Sequence, residues 1–287
     1  MKTILVTGRN GFVARALVER LKDKYRVISL VRKLKDNIDY SNEEVVVIDN
    51  RMVQETDVKK YNIELIIHLA ASIRGRRKEL LENNVQASKA IFKIAESLNI
   101  PVIYLSSTNV LFSDYLGTYA FSKKECEELL VKSKLNYLIL RAPLIIGKDS
   151  PSIKMVRGFY QKFMFFPLFG AGGGKVQPIH ISSIIDKILD KVGEGINSRQ
   201  VLNLVGNHIY SYRDIIAHLL DQNKKTHFIK IPFLLSKFVI GIFEKANIPF
   251  FVSSEELKSI NMDKIVKNDI PDNNIEYVNN DNQIFIA

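Results

Sequence analysis

Cysteine is almost absent from this sequence, because Cys126 is its single thiol in 287 residues. One thiol cannot build an internal disulfide framework, so a reducing compartment is favoured. No stretch approaches the ~20 consecutive apolar residues that a membrane-spanning helix needs. The opening residues, MKTILVTG, also lack the charged and then apolar pattern of a secretory signal. We therefore expect a cytoplasmic protein without a transmembrane segment.

Motifs for metal binding, nucleophile triads and nucleic-acid binding are missing as well. We expect no metal site and no nucleic-acid partner. Hydrophobic residues make up 46% of the chain and charged residues 25%, as in an ordinary globular protein. The net charge of +10 favours anionic small-molecule partners if the cations converge on a pocket. The alternative is a lysine-rich solvated surface.

The first twenty residues combine a buried strand, a tight glycine turn and an amphipathic helix. Residues 3–6 are apolar or β-branched, as in a buried strand. Gly8 allows a sharp turn, and Gly11 lets main-chain N–H groups approach a pyrophosphate at the positive end of the helix. Ala14 stands where the dinucleotide fingerprint has its third glycine, a position that governs strand–helix packing. Taken alone, the motif also suits an ordinary strand–turn–helix connection.

Further apolar strands follow, with helical patterns between most of them. Strands are predicted at residues 25–31, 44–49, 64–70, 101–106 and 136–141, and the main helices at 79–98 and 119–133. Such alternation predicts a parallel sheet covered on both faces. Together with the glycine turn it indicates an α/β, Rossmann-like doubly wound fold.

Pro151 ends this alternation and predicts a small C-terminal substrate lobe. Residues 1–150 are assigned to the NAD(P)-binding Rossmann domain, with 178–205 returning to it, and residues 151–177 and 206–287 to the lobe. The apolar segment 233–246 is expected to be buried against the lobe, and an interfacial membrane helix is the alternative.

Tyr119 and Lys123 form a YxxxK motif at the start of a predicted helix. The i, i+4 spacing puts both side chains on one helical face. An ammonium beside a phenol stabilises the phenolate, which lowers the tyrosine pKa so that the phenol can exchange a proton with a carbinol or carbonyl. The motif follows the fifth strand, where a site at the carboxyl end of a parallel sheet is expected. A surface pair is the alternative.

The TGxxGF opening and the YxxxK motif resemble the extended, nucleotide-sugar-modifying branch of the short-chain dehydrogenase/reductase superfamily, its epimerase/dehydratase family. The resemblance covers residues 1–147 well and the C-terminal part loosely. It implies that Ser107 orients the substrate oxygen and completes a catalytic set with Tyr119 and Lys123, with Ser106 and Thr108 as near alternatives. Asn84 matches a family asparagine that holds the region after the fourth strand in shape.

The resemblance also implies a cofactor site. The cofactor-binding residues are expected to be Gly8, Arg9, Asn10, Gly11, Phe12, Val13, Arg32, Asp49, Asn50, Leu69, Ala70, Ala71, Tyr119, Lys123 and Pro143. NAD-using members usually end the second strand with an acid that binds the ribose hydroxyls, but here Val31 is followed by Arg32. A guanidinium pairs with a 2′-phosphate, so NADP(H) is favoured and NAD(H) is the alternative.

The family's sugar 4,6-dehydratases place an Asp-Glu pair after the active-site hydroxyl, where this chain has Thr108 and Asn109. The resemblance therefore implies an NADPH-dependent reductase of a 4-keto nucleotide-deoxysugar. One alternative is an NAD-dependent nucleotide-sugar 4-epimerase. An alternative of another class is a non-catalytic NADP-binding structural or regulatory protein.

Two further expectations concern the surface. Arg74 belongs to a cationic cluster, with Arg76, Arg77 and Lys78, that follows the fourth strand and should overlook the site. Arg74 is expected to hold a phosphate of the nucleotide-sugar substrate or of the cofactor, and a solvated helix start is the alternative. The resemblance implies a homodimer formed by the helices near 79–98 and 119–133. The residues offered to it are Ile91, Ile94, Ala95, Leu98, Leu129 and Leu130.

Overall fold

A computed structural model describes residues 1–49, 52–170, 172–220, 226–245 and 253–269. Its strands are β1 (Thr3–Thr7), β2 (Arg26–Val31), β3 (Glu44–Val47), β4 (Leu65–His68), β5 (Val102–Ser107), β6 (Tyr137–Ala142), β7 (Ile145–Ile146), β8 (Phe166–Phe169), β9 (Lys175–Val176), β10 (Ile179–His180), β11 (Arg199–Asn203), β12 (Tyr210–Ser211) and β13 (Phe228–Ile231). Its α-helices are α1 (Phe12–Leu21), α2 (Glu55–Val58), α3 (Arg77–Leu81), α4 (Ala87–Ser97), α5 (Ser113–Lys132), α6 (Pro151–Phe163), α7 (Ile181–Glu194), α8 (Tyr212–Leu220), α9 (Phe233–Lys245) and α10 (Ser254–Ile260). Short 3-10 turns lie at Lys59–Tyr61 and Thr108–Phe112, and a π-helical turn at Glu82–Gln86 joins α3 to α4.

Seven parallel strands form the central sheet, in the order β3-β2-β1-β4-β5-β6-β11. This is the doubly wound order with one strand added beyond β6, so the predicted fold class is confirmed. β11 pairs in parallel with β6 and so belongs to the main sheet. The division into two lobes stays a prediction.

Alternate residues of each strand feed two separate cores. Ile4 and Val6 of β1 pack with α1 and α7, whereas Leu5 packs on the other face with α4 and α5. Both faces are apolar because a parallel sheet is covered by helices on each side. Cys126 is fully buried in the second core.

The apolar segment after α6 contains β8, which pairs in parallel with β13. Helix α9 then packs one face against the lobe, with Ile240 buried beside Phe169. Its opposite face is exposed: Leu234 is 80% and Phe238 67% accessible. The expectation that the 233–246 segment is buried therefore holds for one face only, because the lobe covers a single side of the helix. Residue 246 lies outside the described residues.

Four of the residues offered to a dimer interface are buried against the sheet of their own chain: Ile91, Ile94, Ala95 and Leu130. They contribute to the core below α4 and α5, so they present no free surface to a partner. The homodimer stays a prediction. Within the described ranges, no helix combines the length and apolarity needed to cross a bilayer, and no three or more His, Cys, Asp or Glu side chains are grouped to hold a metal.

One buried ion pair holds the connection between β2 and β3 against the sheet. Arg9 Nε donates to both carboxylate oxygens of Glu43, at 2.7 and 2.9 Å, and each side chain is only 2% exposed. Ser29 on β2 donates to the same carboxylate, and Arg9 Nη2 donates to the Asp39 carbonyl at 3.1 Å. Because a charge removed from water needs a partner of opposite sign, Arg9 and Glu43 depend on each other.

Replacing Glu43 by Ala should lower the free energy of unfolding by about 3 kcal/mol or more, because it leaves the Arg9 guanidinium buried without its carboxylate. The matched control is Glu44→Ala on the next residue. Glu44 pairs with Arg26 in an exposed ion pair, with both side chains 47% accessible. Such a pair contributes at most about 1 kcal/mol. Urea unfolding of both variants measures the difference, and equal losses would contradict a structural role for the buried pair.

Candidate active site

The glycine turn after β1 forms a backbone cradle against the loop that follows β4. Gly8 has φ of +75°, and a Cβ built on it would lie 2.7 Å from the backbone N and Cα of Ala70. The N–H of Gly11 donates to the Gly8 carbonyl at 2.7 Å. In the described chain, no side chain caps the first turn of α1 and no acid lies in it. These N–H groups suit a pyrophosphate, so the residues present fit a dinucleotide.

His68, at the end of β4, connects β1 to α4 through hydrogen bonds of its two ring nitrogens. Its Nδ1 shares a hydrogen bond with Thr7 Oγ1 at 2.7 Å, and its Nε2 shares one with Ser88 Oγ at 2.8 Å. Thr7 Oγ1 also accepts from the Ala70 N–H at 3.2 Å. Burial, together with the charge of Lys123, lowers the pKa of His68 to about 3. His68 is therefore a neutral packed residue and not a base.

Asn84 connects the loop after β4 to the helix that carries Tyr119. Its Oδ1 accepts from the Ser72 N–H at 2.7 Å, and its Nδ2 donates to the Ser72 carbonyl at 2.9 Å and to Ser122 Oγ at 3.0 Å. The residue lies in the π-helical turn between α3 and α4 and is 1% exposed. The amide thus holds the region after the fourth strand in shape, as the resemblance implied.

Tyr119 and Lys123 lie one turn apart on α5, beside the carboxyl end of β5. Lys123 Nζ donates to the Leu105 carbonyl at 2.7 Å and lies 4.4 Å from the centre of the Tyr104 ring. Burial lowers the pKa of Lys123 to about 8.

The pKa of Tyr119 is raised to about 12, mainly by burial and further by Cys126. The YxxxK motif predicts a lowered value of this pKa. The difference arises because burial disfavours the phenolate, and the Lys123 ammonium, which donates to the Leu105 carbonyl, does not offset that cost. Tyr119 therefore carries its proton at neutral pH.

Ser107 ends β5 and its Oγ accepts from the Asn109 N–H at 3.2 Å. The hydroxyl caps the following 3-10 turn as an acceptor, which leaves its own O–H proton available as a donor. Ser106, the alternative, is also buried, and among the described residues its Oγ has no hydrogen-bond partner. Ser106 and Ser107 point to opposite faces of the strand.

The cations expected near the cofactor ribose separate into two environments. Arg9 is buried in its ion pair with Glu43, so its Nε serves the fold. Arg32 is exposed at the end of β2 and reaches to Asn83, where its Nη1 donates to Oδ1 at 2.9 Å. Asn10 Nδ2 donates to the Lys33 carbonyl at 2.9 Å and fixes the start of the loop after β2. Arg32 is therefore the better placed of the two guanidinium groups for a phosphate.

Arg74 is exposed and pairs with Glu256 of α10, with Nη2 3.3 Å from Oε1. Its Nη1 donates to Met155 Sδ at 3.3 Å, so the side chain lies between the loop after β4 and α6. The other expected cofactor residues fall at the carboxyl edge of the sheet: Phe12 and Val13 in α1, Asp49 after β3, Leu69, Ala70 and Ala71 after β4, and Pro143 after β6. Asn50 lies outside the described residues.

Sequence reasoning missed two acids that shape this region. Glu43 precedes β3 and holds Arg9, and Glu255 of α10 binds Thr118 beside Tyr119. The Ser253-to-Glu256 spacing is a capping-box signal that could have indicated the start of α10, where both side chains make that motif. Nothing local to Glu255 or Glu43 indicated their distant partners.

The cradle, the Tyr119–Lys123 pair and the sheet order define a dinucleotide-binding protein of the short-chain dehydrogenase/reductase type. The family model of the NAD dependent epimerase/dehydratase family matches residues 4–165, and the chain belongs to that family. The family assignment indicates a nicotinamide dinucleotide as the cofactor class.

A mitochondrial protein of Arabidopsis thaliana, NADH dehydrogenase [ubiquinone] 1 alpha subcomplex subunit 9, is 22% identical over 148 residues, which is 50% of this chain and 36% of that relative. The chain thus spans about a third of the length of this relative.

Two solved structures share the fold. UDP-glucuronic acid 4-epimerase from Bacillus cereus, in complex with NAD, is 18% identical with a TM-score of 0.65, over 79% of this chain and 87% of that one. dTDP-4-dehydrorhamnose reductase from Bacillus anthracis, in complex with NADP, is 16% identical with a TM-score of 0.65, over 90% of this chain and 97% of that one.

The environment of His68 predicts a loss of stability in acid. Its folded-state pKa of about 3 lies below the unfolded value of about 6.5, so the unfolded chain takes up a proton first. This contribution is complete above about pH 6.5 and is lost as the pH falls towards 3, by up to about 1.4 kcal/mol per pH unit. Urea unfolding from pH 7 to pH 4.5 should show a shallower pH slope in His68→Gln than in the wild type.

The control is His208→Gln, since His208 is an exposed histidine. This variant should keep the wild-type slope. Equal slopes in the wild type and in His68→Gln would contradict the assignment of a neutral, buried His68.

Proposed function

We propose that the chain is an NADPH-dependent reductase that converts the 4-keto group of a nucleotide-deoxysugar to an alcohol. The observation that carries the proposal is the placement of Tyr119 and Lys123 one turn apart on α5, the helix that follows the strand ending in Ser107. Reduction of a ketone requires a proton donor at the oxygen, and a phenol with a pKa of about 12 is in that state at neutral pH.

The chain's own residues perform the proton chemistry. Ser107 donates its O–H to the carbonyl oxygen and orients it, and Tyr119 delivers the proton that converts this oxygen to a hydroxyl. Lys123, with a pKa of about 8, is a cation at neutral pH and favours the phenolate that is left behind. Bound NADPH supplies the hydride to the carbonyl carbon. The Gly8–Val13 turn and the loop at Leu69–Ala71 would hold the cofactor.

The preference for NADPH is supported by Arg32. The strand end that usually carries a ribose-binding acid has Val31, and Arg32 follows it in an exposed position. Among the described residues, the Arg32 guanidinium donates a hydrogen bond to the neutral side-chain amide of Asn83. A 2′-phosphate is a stronger partner for a guanidinium than a neutral amide is.

A phosphate site for the substrate is supported by Arg74. Its ion pair with Glu256 is partly exposed, with side chains 48% and 37% accessible, so it contributes at most about 1 kcal/mol. A diphosphate of the substrate could take the place of Glu256 with little loss to the fold. The nucleotide-sugar names of the two structural neighbours support this substrate class.

The NAD-bound epimerase among the neighbours supports a second candidate, a nucleotide-sugar 4-epimerase. Such an enzyme retains NAD through its cycle, so the cofactor that co-purifies with the protein separates the two candidates.

The Arabidopsis relative, named as a respiratory-complex subunit, supports a third candidate, in which NADPH binds without turnover. The chain keeps Tyr119 and Lys123, which favours catalysis.

Tyr119→Phe should lower turnover by at least about two orders of magnitude, because it removes the proton donor. NADPH binding and the unfolding midpoint should change little, since the ring stays. The assay follows NADPH absorbance with 4-keto nucleotide-sugars, and Tyr25→Phe, in the connection between α1 and β2, is the control. Normal turnover in Tyr119→Phe would remove Tyr119 from the mechanism.

Arg32→Ala should weaken NADPH binding by roughly ten- to a hundred-fold, because a charge-assisted contact contributes on the order of 1.5–3 kcal/mol. NADH binding should change by less than about twofold. Arg26→Ala, at the other end of the same strand, should leave both affinities unchanged. Fluorescence titration with the two cofactors gives the comparison. An equal loss of affinity for both cofactors would show that Arg32 is a surface residue that does not bind the 2′-phosphate.

A further inference from the structure

Helix α10 extends from the C-terminal lobe to the helix that carries Tyr119. The Glu255 carboxylate accepts from the backbone N–H of Thr118 and from its hydroxyl, both at 2.9 Å. Thr118 is 3% exposed and directly precedes Tyr119. A residue 137 positions away in the sequence therefore binds the residue next to the proton donor.

The backbone at this point is shaped to receive the carboxylate. Gly117 interrupts α5 with φ of +80° and ψ of −163°, so the helical run that contains Tyr119 starts anew at Thr118. The first N–H groups of such a run have no carbonyl acceptor on the preceding turn. A Cβ at Gly117 would lie 2.4 Å from Cδ of Glu255, so a glycine is required for the contact. The negative charge of Glu255 also interacts favourably with the helix dipole there.

Helix α10 is itself fixed to the lobe. Leu257 is fully buried in a cluster with Phe169 and Ile240. At its C-terminal end, the Ile260 carbonyl accepts from the Gly174 N–H at 3.1 Å. On its first turn, Glu256 pairs with Arg74 from the loop after β4. Helix α10 thus contacts the C-terminal part of the chain, the loop after β4 and the helix of Tyr119.

We propose that Glu255 is a positioning residue: it fixes the first turn of the Tyr119 helix, and with it the phenol, from the C-terminal lobe. The consequence for turnover rests on the proposed function, whereas the effect on the helix does not. Small displacements of a reacting group lower catalytic rates strongly, because proton transfer requires hydrogen-bond distance. Glu255 acts through Thr118 and does not itself touch substrate.

The first test measures amide hydrogen exchange in the segment 118–123. Glu255→Ala should make the first-turn amides exchange about tenfold faster, because a charge-assisted bond to the Thr118 N–H is lost. The matched control is Glu244→Ala. Glu244 on α9 makes the same pair of bonds to the N–H and hydroxyl of Ser254, at 2.8 and 2.7 Å, and so ties down the same helix without reaching α5. It should leave exchange in 118–123 unchanged.

The second test measures turnover and NADPH binding in the same proteins. Glu255→Ala should lower kcat about tenfold with an unchanged Kd for NADPH, and Glu244→Ala should change neither. Glu255→Gln keeps one acceptor oxygen and should recover part of the loss. Thr118→Val, which removes only the hydroxyl donor, should give a smaller loss of kcat than Glu255→Ala, and Thr118→Ser should behave as the wild type.

The outcomes separate this inference from the proposed function. Unchanged exchange in Glu255→Ala, or an equal change in Glu244→Ala, would overturn the positioning role. If the wild type turns over no keto-sugar nucleotide while exchange still responds to Glu255→Ala alone, the proposed reaction fails and Glu255 remains the residue that fixes Tyr119.

Discussion

The amide of Asn84 is the constraint on which the geometry of the site depends. It binds both backbone groups of Ser72 and the hydroxyl of Ser122, so one buried side chain sets the distance between the loop after β4 and the helix of Tyr119. The loop in turn touches Gly8, where there is no room for a side chain. A buried amide that satisfies its hydrogen bonds in one arrangement excludes other arrangements, because each alternative leaves a polar group unpaired.

Burial decides the charge states around this constraint. Tyr119 keeps its proton and His68 stays neutral, because the free-energy cost of burying a charge exceeds any stabilisation of that charge by nearby groups. Lys123 remains a cation at neutral pH with a lowered pKa, held by the Leu105 carbonyl. The ring of Tyr104 beneath its ammonium adds a favourable cation–π contact. The result is a proton donor and a cation one turn apart on the same helix, an arrangement suited to the reduction of a carbonyl group.

The basic residues of this chain show why their positions matter more than their number. Arg9 and Arg32 both lie near the expected ribose end of the cofactor, yet Arg9 is buried with Glu43 and Arg32 is exposed beside a neutral amide. Arg74, expected to hold a phosphate, lies beside Glu256 in a partly exposed pair. An ion pair that is buried belongs to the fold, because separating it leaves a charge without water or partner, whereas an exposed pair can exchange its partner at little cost.

The sequence by itself determined the doubly wound sheet, the glycine cradle and the Tyr119–Lys123 pair, since strand periodicity, glycine positions and i, i+4 spacing are local properties of the chain. The family resemblance added Asn84 and Ser107. Only the tertiary structure decided that the Tyr119 pKa rises, that Arg9 is paired, and that Glu255 caps the helix of Tyr119. Each of these depends on burial or on a partner distant in the chain, because solvation and ion pairing are set by what surrounds a group in space.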